Sequence, residues 1–374
     1  LSQTPAMAPH RLWCLLVIVQ ITLSLPLSSG ASSAGRLGFR HRRNESVSAI
    51  LVFGDSTADP GNNNYVPTIF RSNYPPYGRD FPDHLATGRF SNGRLVADFI
   101  AEYMGVKAAV PPYLDPTLTV EEMATGVSFA SAGCGYDPLT PSLTHVIQIS
   151  TQLDHFREYK SRLEQAIGAA RLRQLLNDAV FVISAGTNDL VLNYFPLPVR
   201  RKQYTLPGYQ SFLLLQTQHL IQSLWTEGAR RIAIAGLPPM GCLPLVRTLA
   251  PDHLRRTCFE PYSLVALDYN RMLRDLLARI RARPGHPGPE LFYMDIYAPV
   301  LDMVQHPDNF GFEEESVGCC GTGLVETSFL CNPKTPACPD AAKYVFWDSI
   351  HPTERAYSVV FQTLTPALDS IVTG

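Results

Sequence analysis

The stretch Ile50-Leu51-Val52-Phe53-Gly54-Asp55-Ser56 decides how this chain is read. Its apolar, β-favouring residues run straight into Gly-Asp-Ser, which predicts a buried strand ending in a sharp turn that presents the Ser56 hydroxyl. A serine at a strand end ordinarily serves as a turn residue or a helix N-cap. The far end of the sequence gives this one a chemical use. There, Val345-Phe346-Trp347-Asp348-Ser349-Ile350-His351-Pro352 sets a carboxylate and an imidazole three residues apart. A hydroxyl becomes a nucleophile when a base takes its proton, and an imidazole serves best when a carboxylate fixes its tautomer and stabilises its charged form. Ser56, His351 and Asp348 are therefore the candidate nucleophile, base and orienting acid.

Outward from Ile50, short apolar runs alternate with amphipathic segments. Leu95, Phe99, Ile100 and Tyr103 recur at helical spacing, and residues 125–135 read as a short apolar strand running into small residues. Residues 149–177 carry Leu153, Phe156, Tyr159 and Leu163 at intervals that predict one or two helices. Residues 178–184 are almost continuously apolar, the mark of a strand covered on both faces, and lead into Gly186-Thr187-Asn188-Asp189. Helices are expected at 209–225 and 262–280, strands at 231–236 and 291–296, and a last helix after Pro352. This alternation predicts an α/β fold, a three-layer sandwich with a mostly parallel central sheet flanked by helices. In such sheets ligands sit outside the carboxyl ends of the strands, and Ser56, Gly133 and Asn188 all fall just past predicted strand ends. The segments 62–90 and 297–345 read as loops, the first rich in Pro and Gly.

With 374 residues, 45% hydrophobic and 17% charged, the chain has ordinary globular composition, and one domain is expected over 47–374. Lys+Arg 31 against Asp+Glu 33 leaves no charge excess to favour nucleic acid or an anionic membrane, so a small or neutral substrate is expected. Met7 and Arg11 precede the apolar run 12–27, and small residues follow to Ala34, the three parts of a secretory signal. The run is shorter than the roughly 20 residues of a membrane span and is broken by Gln20 and Pro26. Residues 1–34 are thus expected to be removed, with 1–6, ahead of the first methionine, set apart as a stretch that need not be translated. Residues 35–46 read as a flexible linker carrying one glycosylation sequon at Asn44. A secreted, extracellular protein with no integral span in its mature chain is the expectation. Loss of Cys14 would leave seven cysteines, an odd number. Cys134, remote from the other six, is expected to stay free, and Cys242 is expected to pair with Cys258. The pairing of the rest is open. No Cys-x-x-Cys occurs, and secretion favours bridges over zinc.

Acyl transfer also needs donors for the oxyanion of the tetrahedral intermediate, each worth roughly 3 to 4 kcal/mol of barrier. The candidates are the backbone N–H of Ser56, the N–H of Gly133 and the side-chain amide of Asn188. Singly, Gly133 and Asn188 read as turn residues. Jointly, Gly54-Asp55-Ser56, Ser128-Phe129-Ala130-Ser131-Ala132-Gly133, Gly186-Thr187-Asn188-Asp189 and Asp348-Ser349-Ile350-His351 resemble, in order and spacing, the four signature blocks of the GDSL esterase/lipases of the SGNH hydrolase superfamily. Asp59-Pro60-Gly61-Asn62-Asn63, Phe90-Ser91-Asn92-Gly93-Arg94 and Cys320-Gly321-Thr322-Gly323 are similar to the plant branch in particular.

The resemblance implies Ser56 as nucleophile, His351 as base, Asp348 as its partner, and Ser56, Gly133 and Asn188 as the oxyanion hole. Two positions depart from the pattern. Thr57 stands where the name motif has Leu, and Ser128 and Ala132 alter the second block. Asp55 and Asp189, beside the candidate residues, read as hydrogen-bonding supports. The expected function is a secreted serine esterase/lipase, monomeric, acting on lipid or other acyl esters, with no metal or cofactor required. The alternatives are an acyltransferase of the cutin-synthase type using the same acyl-enzyme, and a catalytically silent extracellular binding protein. Acyl-chain length is expected to be set by the loops 62–90 and 297–345.

Overall fold

A computed structural model describes residues 47–282 and 288–373, all within one compact unit, His41–Gly374. The expected signal region (1–34), the expected linker (35–46) and Asn44 lie outside the described residues. The central sheet contains β1 (Ile50–Gly54), β2 (Val180–Ser184), β3 (Arg231–Ala235) and β4 (Glu290–Met294), all parallel and in that order. Around it lie α1 (Val96–Tyr103), α2 (Ile149–Ile167), α3 (Ala169–Asp178), α4 (Leu206–Thr226), α5 (Glu260–Arg281), α6 (Tyr297–Gln305) and α7 (Glu354–Thr373). The fold is a three-layer α/β sandwich.

Local chemistry explains several boundaries. The amphipathic run 149–177 is two helices because Gly168 takes a positive φ of 85° between them. Helix α4 begins where the Thr205 side chain accepts a hydrogen bond from Gly208 N–H, with Pro207 in the first turn, where it displaces no backbone donor.

Successive strand residues face opposite layers, so register fixes what each face carries. Leu51, Phe53, Phe181, Ile183, Ile232, Ile234 and Leu291 point to one side, where α2, α4 and α5 pack. There the rings of Phe53, Phe129, Phe156 and Phe181 meet edge-on or stacked with centroids 4.9 to 6.4 Å apart. The opposite face carries Val52, Gly54, Val182, Ser184, Ala233, Ala235 and Met294, and is covered by α1, α6 and α7.

Residues 125–135, predicted as a strand, lie beside β1 as an irregular edge with isolated bridges at Ser128. Val52 N–H bonds Val127 O, while Phe129 and Ser131 N–H bond Val52 O and Gly54 O. A regular ladder stops there because the next strand bond, from Gly54 N–H, goes instead to the Gln152 side chain, while the Asn62 side chain claims the outward carbonyls of Ser128 and Ala130. The chain therefore leaves β1, passes to one side of it, and returns to its other side as β2. That is a topological switch point at the carboxyl end of β1, where such folds place ligands.

The segment 297–345 contains more structure than a loop. Helix α6 and β5 (Glu314–Gly318) lie in it, and β5 pairs in parallel with β6 (Tyr344–Phe346), which begins at its end. Strand β6 spans three residues and β5 begins with two glutamates, so neither shows a readable period.

Candidate active site

At the end of β1 the backbone turns through Gly54 with φ of 137°, and a Cβ there would sit 1.8 Å from Ser184 O. Only glycine fits. The Gln152 side chain brackets this residue, accepting from Gly54 N–H and donating to Gly54 O, both at 2.9 Å. Asp55 N–H bonds Ser184 O at 2.9 Å, and the Asp55 carboxylate turns back to accept from Thr57 N–H and Oγ1 at 3.0 and 2.8 Å. Burial pushes the Asp55 carboxyl up to about 6, against the opposing pull of those Thr57 hydrogen bonds. Thr57, at the position of the motif's Leu, uses its hydroxyl again on Ser184 Oγ at 2.7 Å. The departure thus ties the Ser56 turn to β2.

Ser56 Oγ lies 2.7 Å from His351 Nε2, although the two residues are 295 positions apart. The other imidazole nitrogen, Nδ1, lies 2.8 Å from Asp348 Oδ2. Asp348 Oδ1 also accepts from the backbone N–H groups of Ile350 and His351 at 2.8 and 2.7 Å, so the carboxylate shapes the turn that carries its own partner. Tyr77 Oη and Thr327 Oγ1 donate to Oδ2 at 2.7 and 3.0 Å. Burial pushes the Asp348 carboxyl up, but the adjacent imidazole and the backbone N–H groups of His351 and Ile350 outweigh it and hold the group below its ordinary value. The Phe90 ring lies 4.9 Å from the His351 ring, centroid to centroid, limiting how the imidazole can turn.

Tyr77 and Thr327 went unrecognised in the sequence. Each is a lone hydroxyl in an irregular segment, with no local pattern to mark it. The Thr327 segment is held by the bridges Cys319–Cys338 and Cys320–Cys331. Cys319 and Cys320 N–H bond Phe346 O and Trp347 O at 3.0 and 2.8 Å, fastening the bridged loop to the strand that leads into Asp348. The third bridge is Cys242–Cys258, as expected, and Cys134 is free and buried.

The three expected oxyanion donors occupy adjoining turns. The N–H groups of Ser56 and Gly133 have no acceptor among the described residues. Asn188 Nδ2 donates to Cys134 O at 2.8 Å, which orients the amide and leaves its second N–H for another partner. The segment leading to Gly133 is held by Asp59 Oδ2 on Ala132 N–H at 2.9 Å, by Asn63 Nδ2 on Ala132 O at 2.9 Å, and by Ser128 Oγ on Ala58 O at 2.8 Å. The altered positions Ser128 and Ala132 are thus both tied down. Beyond Gly133, the buried Asp189 carboxylate accepts from Tyr136 N–H, Asp137 N–H and Thr140 Oγ1 at 2.7, 3.1 and 2.6 Å. It links the Asn188 turn to the Gly133 turn, and burial pushes its carboxyl up to about 7. Asp55 and Asp189 are hydrogen-bonding supports, as the sequence indicated.

Ser56 and Asn188 border a cavity of about 90 Å³ whose walls are mostly apolar, among them Val52, Val182, Ala235 and Met294. A hydroxyl hydrogen-bonded to a carboxylate-held imidazole, next to free N–H donors and an apolar hollow, has what nucleophilic attack on an acyl carbonyl requires. Among the described residues no group of three or more His, Cys, Asp or Glu side chains is arranged to hold a metal ion.

Comparison with known proteins agrees with this chemistry. The family described as GDSL-like Lipase/Acylhydrolase matches residues 50–364. GDSL esterase/lipase At5g45960 of Arabidopsis thaliana is 54% identical over 333 residues, covering 88% of this chain and 89% of that protein. GDSL esterase/lipase At2g31540 of the same plant is 42% identical over 364 residues, 97% of this chain and 98% of the relative. The chain belongs to the GDSL-like lipase/acylhydrolase family.

Proposed function

We propose that the protein is a serine esterase/lipase in which His351 takes the proton of Ser56 as the hydroxyl attacks an ester carbonyl. The oxyanion is met by the N–H groups of Ser56 and Gly133 and by the free amide N–H of Asn188. Asp348 holds the imidazole in the tautomer that accepts at Nε2 and stabilises the imidazolium that forms. His351 then protonates the departing alcohol, and a water activated by the same imidazole releases the acid and regenerates Ser56. The observation that carries this reading is the unbroken line of hydrogen bonds from Ser56 Oγ through His351 to Asp348. The relatives' printed names, esterase/lipase, support an ester as the substrate.

The reading extends to a secreted monomer, with Asn44 glycosylated, working outside the cell. Among the described residues no helix is long and apolar enough to cross a membrane. The test of the chemistry is Ser56→Ala in the secreted protein. Turnover of a p-nitrophenyl ester should fall by about 10⁵- to 10⁶-fold, and labelling by a fluorophosphonate should disappear, with an intact unfolding transition. Retained turnover in that variant would reject the assignment.

A further inference from the structure

One short piece of the bridged loop grips the Asp348 carboxylate twice. Thr327 Oγ1 donates to Asp348 Oδ2 directly, at 3.0 Å. The next residue works through a ring, since Ser328 N–H donates to Tyr77 Oη at 2.8 Å and Tyr77 Oη donates to the same Oδ2 at 2.7 Å. The direction of this relay is fixed. A backbone N–H can only donate, so the phenolic oxygen accepts there and its proton is left facing Asp348. Burial, with the Asp348 charge beside it, pushes the Tyr77 hydroxyl well above its ordinary value, so it keeps that proton. The buried ring is held between those of Phe90 and Trp347, with centroids 5.6 and 6.2 Å away. Ser328 is held as firmly. Its φ of 49° is a left-handed conformation uncommon outside glycine, and its Oγ secures it by donating to Ile69 O at 2.7 Å and accepting from Arg71 N–H at 3.2 Å. Backbone in such a region persists where its surroundings over-determine it, and it gathers at functional sites.

Oδ2 also lies 2.8 Å from His351 Nδ1, so two hydroxyls and the imidazole share one oxygen. The hydroxyls fix the plane of the carboxylate, and they take up part of the charge that would otherwise fall on the imidazole alone. We propose that Tyr77 and Thr327 are positioning residues, acting through Asp348 to align His351 and to keep it free to take the Ser56 proton. The inference rests on the serine-esterase reading above and adds two residues to it. Among the described residues, Asp55 and Tyr357 of α7 are the other titratable groups that interact with this pair, Asp55 with His351 and Tyr357 with Asp348. Glu326 and Arg79, on neighbouring segments, turn to Thr322 and to Cys338 O.

The test is the pH dependence of p-nitrophenyl acetate hydrolysis by the full secreted protein, with sites counted by exhaustive fluorophosphonate labelling of Ser56 so that each kcat refers to folded enzyme. Thr327→Val keeps the volume and removes the hydroxyl, whereas Thr327→Ser keeps the hydroxyl and removes a methyl group. A hydrogen bond to a charged group corresponds to about ten- to a hundredfold in rate, so Thr327→Val and Tyr77→Phe should each lose that much kcat with little change in KM. With a donor gone the carboxylate pulls harder on the imidazolium, and the acidic limb of kcat/KM should move to higher pH by about half a unit or more. Thr327→Ser should match wild type in both respects. Because Thr327 is half-buried in a loop, this pair decides the matter even where Tyr77→Phe yields no labelled enzyme. Thr327→Ser as impaired as Thr327→Val, or a Thr327→Val limb that stays with wild type, would overturn the positioning role and leave the esterase standing. Wild type with neither turnover nor labelling would sink the esterase reading and this role with it.

Discussion

The two faces of the central sheet are built from the same four strands, yet one is filled and the other is hollow. Toward α2, α4 and α5 the strands present phenylalanine, isoleucine and leucine, and an aromatic cluster packs directly on β1 and β2. Toward α1 and α7, at the carboxyl ends, they present Gly54, Ser184 and Ala235. Dense packing contributes stability, and the lack of it leaves room for a ligand. One sheet can do both because adjacent residues belong to opposite faces, so neither face constrains the composition of the other.

Substitutions can separate the two roles. The largest effect is expected from Asp348→Asn, which leaves the sheet untouched but removes the acceptor that fixes the His351 tautomer. Its kcat should fall by roughly 10⁴-fold in steady-state assays of the folded variant. Next comes a paired measurement across the sheet. Phe156→Ala, on the filled face, should cost about 3–5 kcal/mol of unfolding free energy, because the ring is fully buried among four others. Val182→Ala, beside the cavity, should cost only about 1 kcal/mol in the same denaturation experiment, since fewer neighbours are lost where space already exists. Equal costs would dissolve the contrast between the faces.

A pH-dependent effect concerns Asp189, whose carboxyl is raised by burial to about 7. A raised carboxyl stabilises the fold fully below its ordinary value, and that contribution is lost as pH rises through the folded value. Between pH 5 and pH 8 the wild type should therefore lose on the order of 2 kcal/mol that Asp189→Asn does not lose. Matching slopes in pH-resolved melts of the two proteins would show that Asp189 does not titrate in this window. The opposite sign applies to Asp348, whose lowered value stabilises the fold above the ordinary carboxylate range and fails only on acidification.

Much of this was legible in the sequence because it is written in local patterns. Apolar runs such as 178–184 and the Gly54-Asp55-Ser56 turn announce buried strands and a strand-end hydroxyl, and Asp348 and His351 sit on one turn. What escaped depends on partners distant in the chain. Tyr77 reaches Asp348 across 271 positions, and nothing around Tyr77 marks it. The edge segment 125–131 has the composition of a strand but fails to become a regular one because of Gln152 and Asn62, which lie elsewhere. The cavity escaped for another reason, since a small residue in a strand has meaning only when its neighbours in the sheet are known to be small as well. Ala235 is unremarkable until Ser184 and Gly54 stand beside it.

The span from Ser56 to His351 orders events during synthesis. In the proposed mechanism a ribosome makes the hydroxyl 295 residues before its base, and the bridged loop that supports Asp348 lies between them. On that reading a chain halted before residue 351 carries a serine with no base to take its proton. Hydrolytic power would then arrive only once synthesis has passed residue 351.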